Sequence, residues 1–191
     1  LRPAIFFDRD GTLIEDAHYL SSLQAIKIID SMLEFAYLAQ QRGYLLVGVT
    51  NQSGVARGMF NEQFVQETHA HLDQLFTKYK VSIAAWYYCP HHPDGVVDEY
   101  AYACSCRKPK PGMLNRALNE WPIINKSLSV LIGDKASDIE AAEAAGISSI
   151  LFNLVISSFN FIFSSIIFTR YWILYGILIF IIINYQFLYK S

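Results

Sequence analysis

Short apolar runs alternate with stretches of helical periodicity over residues 1–151. Residues 3–7 are an apolar run that ends at Asp8. Residues 30–42 place Met32, Leu33, Phe35, Ala36, Leu38 and Ala39 at helical spacing and stop at Gly43, which predicts a helix. A second strand is expected over 44–49, a long amphipathic helix over 61–79 and a third strand over 82–88. A helix over 113–120, a strand over 128–132, a helix over 137–145 closed by Gly146, and a strand over 148–152 complete the pattern. Such alternation predicts an α/β fold, a doubly wound parallel sheet with helices on both faces.

In sheets of this kind ligands sit beyond the carboxyl ends of the strands. Asp8, Thr50 and Asp134 each follow directly on an apolar run, so the pattern brings all three to one sheet edge. Phe7-Asp8-Arg9-Asp10-Gly11-Thr12 carries two carboxylates two positions apart. Where a strand breaks into a loop both can face a ligand, one attacking and the other moving protons. Gly11 permits a tight turn whose amides can meet phosphate oxygens. Thr50-Asn51-Gln52 adds a hydroxyl and two amides, Arg107-Lys108 adds two cations, and Asp134 completes an oxygen-rich site suited to Mg²⁺. A lone Asp-x-Asp is often just a solvated turn; the other three stretches weigh against that here. Asp138 is open between two roles, an acid in the first turn of a helix and a support behind the magnesium ligands. Arg107 is likewise open between a substrate contact and a surface ion pair.

All three cysteines fall between residues 89 and 106. Cys-x-His at 89–91 and Cys-x-Cys at 104–106 offer four ligands that suit tetrahedral Zn²⁺, which would pin a polar, Pro-containing loop. Spacing alone does not separate His91 from His92. The competing reading is three free thiols and two surface histidines. An odd, clustered cysteine count argues against a disulfide framework, and a reducing, cytoplasmic setting without a signal peptide is expected. His69 and His71 lie two apart on a helix, cannot chelate together, and are expected solvent-facing or partly buried. Trp86, Tyr87 and Tyr88 are expected to pack, and His18 is open between pocket rim and plain loop.

The formal net charge of −2 gives no basic footprint, so nucleic acid is not expected as a partner. Composition changes sharply after residue 151: residues 153–191 carry only Arg170 and Lys190 as charges. The apolar runs 154–168 and 171–183 are each shorter than the ~20 residues of a spanning helix, and Arg170 separates them. A membrane anchor or a frameshift product would account for this tail; its AT-codon-rich composition favours the second. The expected domains are therefore 1–152, with a zinc loop at 89–106, and an atypical hydrophobic tail at 153–191.

The four strand-end stretches resemble the four motifs of the haloacid dehalogenase superfamily of phosphatases, in the same order. Cys89-Pro90-His91-His92-Pro93, the run from Cys104 to Met113 and the run from Thr50 to Gly58 closely resemble the D,D-heptose 1,7-bisphosphate phosphatases, over about residues 3–151. The resemblance implies a capless, Rossmann-like phosphatase acting on the 7-phosphate of a heptose bisphosphate. Asp8 would be the nucleophile and Asp10 the acid and base. Thr50 and Lys108 would hold the transferring oxygens, and Asp8, Asp10 and Asp134 would hold Mg²⁺. Cys89, His91, Cys104 and Cys106 would hold Zn²⁺. Gly11, Asp16, His18, Tyr19, Asn51, Gln52, Ser53, Arg107 and Lys135 would contact substrate, and the protein would be a monomer. A histidinol-phosphate phosphatase shares these motifs. A non-catalytic zinc-stabilised domain, membrane-tethered through the tail, is the reading from another class.

Overall fold

A computed structural model describes residues 1–20 and 22–152. Five strands and four helices follow one another as β1 (Ala4–Phe7), α1 (Asp30–Gln41), β2 (Leu45–Asn51), α2 (Glu62–Lys78), β3 (Ala85–Cys89), α3 (Gly112–Glu120), β4 (Val130–Gly133), α4 (Ala136–Ala145) and β5 (Ser148–Leu151). All strands pair in parallel, in the order β3-β2-β1-β4-β5. The alternation along the chain thus becomes the expected doubly wound sheet.

Side chains alternate across β1 and sort the core into two halves. Ala4 and Phe6 pack with Val47, Leu131 and the buried faces of α3 and α4. Ile5 and Phe7 pack with Leu46, Ile132 and the buried faces of α1 and α2. A strand covered on both faces has no polar side to show, which is why β1 and β4 read as unbroken apolar runs. Burying a Phe or Leu side chain contributes roughly 1.5–3 kcal/mol, so these two layers hold the sheet edge rigid.

The differences from expectation lie at element ends and have local causes. β2 continues through Thr50 and Asn51, because its ladder to Tyr88 and Cys89 needs only backbone groups. Asn61 caps α2, its side chain accepting from the Phe64 amide at 2.9 Å. Residues 82–84 stay outside β3; the Gln40 amide side chain instead bonds the Ser82 N–H and the Lys80 carbonyl. Lys126–Leu128 forms a 3-10 turn before β4. Between β1 and α1 the described residues form isolated bridges of Ile14 with Asp10 and Ile28 and the 3-10 turn Leu23–Ala25, and no cap domain is present among them. The 153–191 tail, with its anchor and frameshift readings, lies outside the described residues. Among the described residues no helix is long and apolar enough to cross a membrane.

Gly48, in the middle of β2, has no room for a side chain. A Cβ there would meet Trp86 Cε3 at 2.0 Å. The indole lies across this bare stretch of backbone, and its Nε1 donates to Asp73 Oδ1 at 2.9 Å. Gly48→Ala is expected to lower the unfolding free energy by about 1–3 kcal/mol through overpacking. Urea denaturation measures this, and an unchanged midpoint would contradict the packing described.

Candidate active site

The strand order reverses between β1 and β4, and a crevice opens beyond their carboxyl ends. Asp8 follows β1, with its N–H bonded to the Ile132 carbonyl at 2.9 Å. Asp134 follows β4, and Asp138 sits in the first turn of α4. Carboxylate oxygens of Asp8, Asp134 and Asp138 lie within 4.8 Å of one another. Gly11 makes room for this group: it adopts φ +88°, and a Cβ there would fall 2.3 Å from Asp134 Oδ2. Its N–H is taken by the Ile14 carbonyl at 2.8 Å, so Gly11 serves here as space rather than as an oxygen-binding amide.

Lys108 lies among these acids. Its Nζ is 2.7 Å from Asp8 Oδ1, 2.6 Å from Asp138 Oδ1 and 2.8 Å from the Val49 carbonyl, and the side chain is buried. Burial alone would pull this ammonium down, but the charges of Asp8 and Asp138 outweigh it and hold its pKa above the usual lysine value. Asp138 therefore does two things. One oxygen accepts from the Lys135 amide at the start of α4, and the other pairs with Lys108. Burial raises the Asp134 carboxyl to about 6, with the Asp8 charge adding to the shift.

Asp10 points elsewhere. The Arg9 guanidinium grips it through Nε and Nη2 at 3.0–3.2 Å. Gln52 Nε2 donates to Asp10 Oδ2 at 2.7 Å and also to the Thr50 hydroxyl at 2.8 Å. Thr50 Oγ1 reaches Asp10 Oδ2 at 3.4 Å, so its hydroxyl is engaged with Asp10 and Gln52. Asn51 is absent from the cavity wall; its amide both donates to and accepts from the Lys108 backbone at 3.0 Å.

A cavity of about 30 Å³ opens beside Asp10, lined by Asp16, His18, Tyr19, Gln52 and Ser53 among others. That space holds one water-sized group, so a larger ligand would extend outward past the exposed 16–19 rim. Lys135 pairs with the rim, its Nζ 3.1 Å from Asp16 and 3.8 Å from Asp134. Burial raises the Asp16 carboxyl, but the His18 amide and Lys135 outweigh it and hold it below the usual range.

The oxygen donors of Asp8, Asp134 and Asp138 form the set a hard divalent ion such as Mg²⁺ requires. A separate cluster is soft. The Cys89, Cys104 and Cys106 sulfurs lie 3.1–3.4 Å apart, and His91 Nδ1 is 3.3 Å from Cys106 Sγ. Tyr102 Oη, 2.7 Å from His91 Nε2, leaves Nδ1 facing the sulfurs. Hydrogen bonds from Cys89 draw the Cys106 thiol down to about 5, while the same contact and burial push Cys89 up. The donor set and its tetrad spacing fit Zn²⁺. His92 turns away to Arg57 at 3.2 Å, which separates it from His91. Arg107 bridges the two sites in sequence, its N–H on Cys104 Sγ and its guanidinium against the His91 carbonyl at 3.5 Å.

Two residues at the site escaped the sequence reading. Arg9, to which the sequence pattern assigns no role, is only 2 % exposed. His69, expected to be solvent-facing or partly buried, is instead 6 % exposed and lies 3.4 Å from Arg9 Nη1. The signal for it was present: Val65, Thr68, His69, Leu72 and Phe76 form the buried stripe of α2.

Residues 105–153 match the HAD-hydrolase-like family. The D-glycero-beta-D-manno-heptose-1,7-bisphosphate 7-phosphatase of Yersinia pestis is 43% identical over 147 residues, covering 77% of this chain and 78% of the relative. The protein of the same name from Photorhabdus laumondii is 44% identical over 148 residues, covering 77% and 78%. The crystal structure of D,D-heptose 1,7-bisphosphate phosphatase from B. bronchiseptica, complexed with magnesium and phosphate, superposes with a TM-score of 0.69 at 29% identity, covering 78% of this chain and 79% of that one. With this identity and coverage joined to the strand-end acids and the sulfur cluster, the chain belongs to the D-glycero-D-manno-heptose-1,7-bisphosphate 7-phosphatase family of HAD-like hydrolases.

Proposed function

We propose that this chain is a phosphoric monoester hydrolase that removes the 7-phosphate of D-glycero-D-manno-heptose 1,7-bisphosphate. The observation that carries the reading is the meeting of Asp8, Asp134, Asp138 and Lys108 at the β1/β4 crevice. A bound Mg²⁺, held by Asp8, Asp134 and the Asp10 backbone with Asp138 in support, would offset the charge of the phosphate dianion as it approaches the Asp8 carboxylate.

Asp8 attacks phosphorus in line: an Asp8 O–P bond forms as the P–O bond to the sugar breaks. Asp10 gives its proton to the departing alkoxide. A water then attacks the aspartyl-phosphate, Asp10 takes a proton from it, and inorganic phosphate leaves with Asp8 restored. Lys108 fixes the nucleophile and carries positive charge beside it, while Thr50 and Gln52 hold Asp10 in place. The chemistry is positioning and electrostatics, as phosphoryl transfer requires.

Substrate enters over the open rim. Asp16, His18, Tyr19 and Ser53 would meet the sugar, and Arg107 and Lys135 would meet its anionic groups. We assign residues 1–152 as the catalytic domain, acting as a monomer. Zn²⁺ on Cys89, His91, Cys104 and Cys106 would stabilise the loop that delivers Arg107 and Lys108. Three unpaired thiols fit a reducing, cytoplasmic setting.

With Mg²⁺ present, phosphate release from the heptose bisphosphate is expected to exceed release from histidinol phosphate; the reverse order would overturn the substrate assignment. Asp8→Asn should abolish turnover while zinc content, read by elemental analysis, stays unchanged, and wild-type turnover in that variant would end the nucleophile assignment. Lys108→Met strands two buried acids. It is expected to stop turnover and lower the unfolding free energy in chelator by about 3–5 kcal/mol, read by urea denaturation. A loss below about 1 kcal/mol would contradict the buried-pair description.

A further inference from the structure

The Arg9 fork needs an acceptor on the side away from Asp10. A guanidinium carries five donors and no acceptor, and buried donors left unmet are costly. Nε and Nη2 are satisfied by Asp10, and Nη1 lies 3.4 Å from His69 Nε2. The imidazole is itself fixed. It stacks on Trp86 with ring centres 4.7 Å apart and planes 7° from parallel, and Tyr88 flanks it at 5.8 Å. Trp86 in turn lies on the bare backbone of Gly48 and is tethered by Asp73. A seat of this kind runs from the sheet through two aromatic rings to the carboxylate that moves protons.

We propose that His69 is a positioning residue: its Nε2 accepts from Arg9 Nη1 and so aims the Arg9 fork at Asp10, the acid that protonates the leaving group. This rests on the phosphatase reading given above. Burial, reinforced by the Arg9 charge, lowers His69 to about 3, so the ring keeps a lone pair on Nε2 for Arg9 at working pH. Packing alone would require a ring at position 69 but would not require a nitrogen at this edge of it.

The test separates positioning from mere support through the leaving group. A sugar alkoxide needs a proton to depart, whereas p-nitrophenolate leaves without one. His69→Phe keeps the stacked ring and removes the acceptor. Its kcat/KM on the heptose bisphosphate is expected to fall about tenfold or more, a part of the roughly 10²–10⁴ that general acid catalysis contributes. On p-nitrophenyl phosphate the fall should be much smaller. His69→Gln, whose side-chain oxygen can accept from Arg9, should recover most of the loss. Arg9→Lys, which keeps the charge without the fork, should show the same asymmetry between the two substrates. Equal losses on both substrates in the soluble variants, no loss on either, or a Gln variant no better than Phe would overturn the proposal. A wild-type protein that turns over the bisphosphate while its variants show no asymmetry sinks this inference alone. A wild-type protein inert on both substrates sinks the phosphatase reading and this inference with it.

Discussion

The Lys108 ammonium, buried between Asp8 and Asp138, is the contact on which the site depends. Two carboxylates brought this close out of water repel each other and lose their hydration; one cation between them offsets both effects. The same contact ties three separate parts of the chain together. Asp8 comes from the end of β1, Asp138 from the first turn of α4 and Lys108 from the loop before α3. The Val49 carbonyl adds the end of β2 to the group. The acids can therefore wait, already assembled, at the crevice where the strand order reverses.

Lys108 must arrive there on a segment that has little core of its own. Residues 90–111 contain no helix or strand, and their order comes from polar and sulfur contacts. The Cys89, His91, Cys104 and Cys106 tetrad closes the loop two residues before Lys108, and Asn51 clamps the Lys108 backbone from β2. A metal on the soft tetrad would thus act on the chemistry indirectly, by fixing where the lysine enters. A hard ion on the oxygen cluster and a soft one on the sulfur cluster would serve two different tasks.

Much of this was legible in the sequence because it rests on periodicity and on residue type. Apolar runs at 3–7 and 130–132 signal strands covered on both faces, and Asp8 and Asp134 stand directly after β1 and β4. Three cysteines confined to one loop signalled the tetrad, though spacing could not choose His91 over His92; the turn of His92 toward Arg57 makes that choice. Asp138 was ambiguous for a good reason, since it fills a helix-start role and a charge-pairing role at once. What escaped was contact between distant elements. His69 was judged by its spacing from His71, yet its environment is set by Trp86 on β3 and Arg9 after β1. Asn51 and Thr50 looked like ligand groups, but their side chains are engaged with Lys108 and Asp10.

In the proposed mechanism Asp8, paired with Lys108, accepts the phosphoryl group. Quenching a steady-state reaction with borohydride converts an acyl phosphate to an alcohol, and peptide mass spectrometry then locates the change. Homoserine is expected at position 8, formed only when substrate is present. Reduction at another carboxylate, or an unmodified position 8 in an actively turning-over enzyme, would contradict this mechanism.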